Sequence, residues 1–338
     1  MFYNIKIKKK YLKAMLKNST KISKSLNCYM NSLIKCLYYI KELREYLILY
    51  KDNFSDQQPI CKVMSNIMYK LKYNASKYFE AKELQEIIGD NNDLLVGGKA
   101  GDSNCIFTSI IDSFLNELSY LFIKHNNNDT PGTKYNQSNK KEVFEIVYNS
   151  IDKSNIINQL FLGYYETVFK CKNKANINIY SFQNEYYINF NLENIWKYND
   201  NVEDIKISQC FQYYYGREKE SQFFCDECGI VESNICYEKI YKPPLILVII
   251  LNRGNNNNFD GIVIPEAFLD LSNYIDRDGY KNGNGCLYTL IALPYKYGAC
   301  CMTDSGIYFD SKTIAMDIRE SQLNRDTPFL MIYRSNDN

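Results

Sequence analysis

The chain has 338 residues, 46% of them apolar, so it can bury a full core in one large domain or two average ones. Forty basic side chains against thirty-nine acidic ones leave it almost neutral, which argues against a general nucleic-acid binder, whose affinity comes from a cationic face. The apolar run Leu245 to Leu251 is far too short to span a bilayer, and no apolar core segment follows the N-terminal lysines as a secretory signal requires.

Residues 1 to 24 hold eight lysines and no acid. We read 1–21 as a basic N-terminal extension, solvated and loosely ordered, with a nuclear address or an acidic-partner arm as the alternatives. Three helical patterns follow. After Cys28, Met30, Leu33, Ile34, Leu37 and Ile40 fall on one face; Ile60, Val63, Met64, Ile67, Met68 and Leu71 repeat at the same period. The third run has Ile106, Phe107, Ile110, Ile111, Phe114, Leu115, Leu118 and Phe122, with Asp102 or Ser103 as its cap. From about residue 165 the texture turns to short aromatic and β-branched runs bounded by turn residues: INIYSFQNEYYINFNL, PPLILVIILNR, CLYTLIALPYKYG, SGIYFDS and TPFLMIYRS. Helices first and strands later predict an α+β fold whose sheets come from the C-terminal half. The twelve cysteines are scattered, several inside these apolar patterns, unlike a short secreted disulfide scaffold. They predict a reducing compartment, cytoplasm or nucleus.

Cys28 stands where the first helix begins, behind Asn27, a good N-cap. A helix N-terminus offers free N–H groups and partial positive charge, which lower a thiol pKa and can hold an oxyanion. The stretch alone leaves two readings open, a capped half-buried cysteine and a nucleophile.

The segment NCYMNSLIKCLYYIKELREYL resembles the cysteine box of the ubiquitin-specific protease family. Further blocks follow in the family's order. GDSNCIFTSIIDSFLNEL is similar to its Gln-Asp-Ala-His-Glu-Phe helix with Asp102 kept; ISQCFQYYYGREKESQFFCDECG resembles the approach to its Cys-x-x-Cys knuckle. YKPPLILVIILNR, IPEAFLDLSNYI, YTLIALPYKYG, GIYFDS and FLMIYRS resemble its remaining blocks, so the likeness runs from about residue 22 to 335. It implies a papain-like cysteine peptidase fold over 22–338, with a helical thumb at about 22–160, β-rich fingers at about 165–240 and an antiparallel β palm at about 241–338. It also implies a protein that handles the isopeptide bond after ubiquitin's C-terminal glycine. Cys28 takes the nucleophile's place, Asp310 that of the orienting carboxylate, and Asp102 that of a residue facing ubiquitin's basic tail.

Three departures stand out. The mechanism needs an imidazole that activates the thiol and protonates the leaving lysine amine. The family's Gly-His-Tyr motif falls on Gly298, Ala299 and Cys300 or on Gly306, Ile307 and Tyr308. Ala299 is preferred because it leaves room for a strand before Asp310. The chain's single histidine, His125, lies in a polar segment and reads as a surface residue. Lys296 is near, but an exposed lysine is a poor base. At the oxyanion site Leu26 replaces the family's Asn, and Asn27 is one place late. In the fingers a zinc site needs four ligands. Cys171, Cys225 and Cys228 give three, Lys174 takes the place of another, and Cys236 or Cys210 could serve as the fourth; the other reading is reduced thiols on a hairpin and no cofactor.

Three functions are consistent with this. One is a protein that engages the tail of ubiquitin or a ubiquitin-like protein with impaired catalysis, which the missing base favours. The second is an active thiol isopeptidase using Cys28 with another base. The third is a scaffold in a larger protein assembly that does not bind ubiquitin. No nucleic-acid or membrane partner is expected.

Overall fold

The structure is a computed structural model that describes residues 28–73, 82–90, 103–119, 139–171, 178–200, 204–225, 230–254, 261–276, 286–295, 298–303, 306–310 and 328–336. Leu26, Asn27, Asp102, Phe122, His125, Lys174, Cys228, Lys296 and Tyr297 lie outside these residues. The chain divides into two compact units, one of residues 1–123 with 291–332, the other of 124–290 with 333–338.

The first unit begins with helices. α1 (Cys28–Tyr38), α2 (Lys41–Leu49), α3 (Pro59–Tyr73), α4 (Lys82–Asp90) and α5 (Ser103–Ser119) follow in order. Of the positions the periodicity predicts, Leu71 and Leu115 are half-buried, but most are buried: Met30, Leu33, Ile34 and Leu37 on α1, Ile60, Val63, Met64, Ile67 and Met68 on α3, and Ile106, Phe107, Ile110, Ile111, Phe114 and Leu118 on α5. Each such side chain contributes about 1.5–3 kcal/mol when taken from water. α1 packs on α2 and α5, and α3 on α2, α4 and α5. The first apolar pattern does not form one helix up to Ile40. Ile40 adopts an extended backbone (φ −79°, ψ 96°) as the N-cap of α2, so the face continues across a break and Ile40 is buried where the chain restarts. The strands of this unit come from far along the chain: the end of β10 (Leu287–Tyr295), β11 (Gly298–Thr303), β12 (Gly306–Asp310) and the start of β13 (Leu330–Ser335), in the order β12-β11-β10-β13.

The second unit holds α6 (Lys140–Asn149), α7 (Ile156–Phe161), and the antiparallel sheet β2-β1-β6-β5 from β1 (Gly163–Lys170), β2 (Asn178–Glu185), β5 (Lys219–Cys225) and β6 (Ile230–Lys242). It also holds β3 (Ile188–Asn191) parallel to β7 (Ile246–Asn252), and β4 (Asp204–Lys206) parallel to β8 (Ile262–Ile264). β9 (Phe268–Asp270) pairs with the first residues of β10. β7 is buried from Ile246 to Leu251, which suits a central strand covered on both faces. Two helices interrupt the strand-rich stretch, α8 (Leu192–Tyr198) and α9 (Ile207–Tyr215). The aromatic sequence of α9 favours a strand by propensity, but Ile207, Cys210, Phe211 and Tyr215 make one buried helical face, and packing decides.

Candidate functional site

Cys28 is the first residue of α1, whose first turn carries no acidic side chain. The orphan N–H groups and positive end of the helix dipole are therefore not offset by an acid within that turn. α1 packs against β11. β11 pairs antiparallel with β12, and in that register Ala299 stands directly opposite Asp310. Directly opposed positions share one face of a sheet, with Cβ atoms about 4.5–5.5 Å apart. Gly306, Ile307 and Tyr308 lie on the same strand as Asp310, Ile307 being paired with Met302. One unit thus holds the helix that Cys28 opens, the strand against which it packs, and the strand that ends at Asp310. Nothing local in the sequence announces the 299–310 pairing; it follows from strand register.

A second cysteine near a helix start is disposed differently. α3 opens with Pro59, a residue suited to the first helical position. The carboxylate of Glu117, from α5, accepts hydrogen bonds from the backbone N–H groups of Ile60 (3.0 Å) and Cys61 (2.7 Å). Gln58 donates its side-chain amide to the Glu117 carbonyl at 2.9 Å. Burial, with the nearby Glu117 charge, pushes the Cys61 thiol far above its ordinary value. The N-terminus of α3 is already occupied by an anion and Cys61 is fully buried, so that thiol is inert.

Strand register sets the spacing of those second-unit cysteine positions that lie among the described residues. Cys171 follows β1, whose last residue Lys170 is opposite Ile235 of β6, whereas Cys225 is opposite Ile230. Position 171 therefore falls about four residues along β6 from Cys225, on the order of 13 Å at a strand's rise, and two strands across. Ligands of one zinc ion sit about 2.3 Å from the metal, so Cys171 and Cys225 do not fit one site in this register. Cys236 is nearer: it pairs with Phe169, two residues before Cys171, on the same face. Cys210 is buried in α9 and donates its thiol to the Lys206 carbonyl at 3.7 Å. Among the described residues no three His, Cys, Asp or Glu side chains converge as a metal site.

The profile of the family described as ubiquitin carboxyl-terminal hydrolase matches residues 21–315. The chain belongs to that family. A Saccharomyces cerevisiae relative, ubiquitin carboxyl-terminal hydrolase 12, is 26% identical over 172 residues, covering 45% of this chain and 14% of its own length. The Arabidopsis thaliana ubiquitin carboxyl-terminal hydrolase 4 is 23% identical over 274 residues, 74% of this chain and 70% of that protein. This chain thus spans only a small part of the yeast relative. Among solved structures, the Ubp8/Sgf11/Sus1/Sgf73 deubiquitinating module of SAGA bound to ubiquitin aldehyde matches with a TM-score of 0.68 and 17% identity, over 94% of this chain and 70% of that one. The same module bound to monoubiquitin matches with a TM-score of 0.67 at 16% identity, over 94% and 69%. The fold is the α+β, papain-like peptidase fold of this family. No helix among the described residues is long and apolar enough to cross a membrane.

Proposed function

We propose that this family member engages the C-terminal tail of ubiquitin or a ubiquitin-like protein at the start of α1, and that its turnover is impaired for want of a base. In this reading Cys28 is the nucleophile, Asp310 the residue that orients a base in the family, and Ala299 occupies the imidazole's place. The observation that carries it is the opposition of Ala299 and Asp310 in the sheet that α1 packs on. In this reading Ala299 takes the place that the resemblance gives to the family's imidazole, and alanine cannot accept a proton.

The chemistry follows from what remains. An ordinary thiol, pKa about 8.5, is a few per cent thiolate at neutral pH, and the helix start raises that fraction. Attack on the carbonyl is thus retained in part. Protonation of the departing lysine amine is not, and removal of the histidine of a comparable triad costs on the order of 10⁶ in kcat. The outcome is a cleft that binds and reacts slowly. Asp102 takes the place of the family's residue that meets the basic tail, the helical thumb takes residues from about 22 to 160, the fingers about 165–240 and the palm the remainder. The SAGA module supports a larger assembly as the setting, and the thiol-rich composition supports the cytoplasm or nucleus.

Incubation with a ubiquitin carrying a C-terminal electrophile tests this. Covalent labelling that is lost in Cys28→Ala is expected. A folded protein that takes no label and shows no binding of ubiquitin on titration would leave only the scaffold reading.

A further inference from the structure

The second unit contains a cleft of about 380 Å³ that lies apart from the residues discussed above. Its walls are Tyr148 at the end of α6, Leu162 and Tyr164 around the start of β1, and Pro243, Pro244 and Leu245 between β6 and β7. Tyr288 closes the floor and donates its hydroxyl to the Pro244 carbonyl, which fixes the diproline segment in place. The volume is at the lower end of the range for sites that take a small group.

Its charge is one-sided. The Lys153 ammonium sits 3.7 Å from the centre of the Tyr148 ring, and the Lys242 ammonium 4.8 Å from the same centre. Lys242 also lies 6.0 Å from the ring of Tyr164. Two cations that share one aromatic ring repel each other, and a ring at an exposed site offsets little of that repulsion. Among the described residues neither lysine pairs with a carboxylate, and Lys153 has only a long contact, 3.5 Å, to the Asn149 amide oxygen. The carboxylate beside it in sequence, Asp152, accepts from the backbone N–H and hydroxyl of Ser154 at 2.9 and 2.6 Å. Burial pushes the Tyr164 phenol up to about 12, so it supplies no negative charge at neutral pH. Among the described residues the cleft therefore presents two ammonium groups without a carboxylate partner, beside an apolar wall of proline, leucine and tyrosine.

We propose that this cleft is a docking site for an acidic peptide segment of a partner protein, one that places an aromatic or aliphatic side chain against Pro243, Pro244 and Leu162 and a neighbouring carboxylate between Lys153 and Lys242. A peptide fits better than a free small acid because Lys153 and Gln159 at the mouth are exposed, so the cleft is open along one side. A small ligand would be left half solvated there, whereas a chain passing across the mouth inserts only one or two side chains. The site does not depend on Cys28, Ala299 or Asp310, so it stands or falls separately from the proposed function.

The test is titration of the whole protein with a fluorescein-labelled peptide, acetyl-Gly-Asp-Phe-Glu-Asp-Gly-amide, by anisotropy. Saturable binding is expected, weakened about tenfold or more when the peptide's acids are replaced by their amides, and likewise in the Lys153→Gln, Lys242→Gln double variant. Affinity falls with added salt. The amide peptide uses unaltered protein, so that arm holds even if the double variant were misfolded; circular dichroism checks the variant. Equal binding of the acidic and amide peptides, or no binding at millimolar peptide, overturns the proposal. Binding of phenylacetate without binding of the peptide also overturns it, in favour of a small-acid site.

Discussion

Cysteines stand at or near the starts of α1, α3 and α5; α1 and α3 both lack an acid in their own first turn, and at α3 one arrives from another helix. At α3 the positive end of the helix is filled: Glu117 reaches across from α5 and takes the N–H groups of Ile60 and Cys61. Burial and that carboxylate leave the Cys61 thiol protonated. At α1 the first turn has no acid, and the cysteine is the first helical residue. A cysteine at a helix start is thus neutral information until the occupant of the helix end is known. Where the protein seats its own anion on the helix end, as at α3, the thiol is structural; an end left to the substrate can hold developing charge, which is the role proposed for α1.

The largest test of this difference is to supply what the α1 side lacks. Ala299→His is expected to raise the rate of ubiquitin-aminocoumarin hydrolysis by roughly 10²–10⁴, the usual contribution of a positioned acid–base group. No change would mean that 299 is not the base's position. Next is differential alkylation. In native protein at pH 7.5, iodoacetamide should modify Cys28 at least about 10²-fold faster than Cys61, read by peptide mass spectrometry, because only the thiolate reacts and Cys61 is both buried and protonated. Comparable rates would erase the distinction between the two starts.

Removing the anion from α3 comes third. Glu117→Ala should lower stability by about 2 kcal/mol, measured by urea unfolding, since two backbone donors lose their acceptor and the helix loses its charge complement. A stability unchanged within error would mean that solvent caps α3 equally well.

A buried carboxyl in the other unit sharpens the point that a charge needs a good partner. Glu166 of β1 is fully buried, 3.0 Å from the Lys140 ammonium, which also meets Asp276 at 2.9 Å. Burial, opposed by Lys140 and aided by Asp276, pushes the Glu166 carboxyl up to about 7. The folded chain then holds a proton that the unfolded chain releases near pH 4.5, so stability falls as pH rises from about 4.5 to 7. Lys140 stays charged throughout that window, its own pKa being raised and not lowered. Over those pH values Glu166→Gln should flatten a decline on the order of 1–2 kcal/mol, the shared proton and ion pair reducing the full linkage value. An unaltered slope would show that other groups set it.

Much of the fold was legible in the residues. The apolar periodicity of α1, α3 and α5 named their buried faces, and β7, β10, β12 and β13 fall inside the runs read as strands. The break at Ile40 escapes the periodicity because a period detects a face and not a break, and α9 lies in a stretch for which the residues give no separate helix signal. The candidate site was legible only as a motif, Cys28 by its box and Asp310 by its block, and their roles belong to the proposed function. The Ala299–Asp310 opposition is a matter of register, and the Glu117 cap joins residues 56 and 57 positions apart, beyond any local signal. The register that puts Cys236 opposite Phe169, two residues before Cys171, and Cys225 opposite Ile230 is of the same kind, invisible to spacing along the chain.

If the proposed function holds, positions 299 and 310 act as one functional pair. The most direct measurement is the rate of ubiquitin-aminocoumarin hydrolysis in a cycle of Ala299→His and Asp310→Ala, singly and together. The account predicts that the gain from Ala299→His is largely lost when Asp310 is also replaced by alanine, because the introduced imidazole then has no partner to orient it. A gain of the same size in both backgrounds would contradict it.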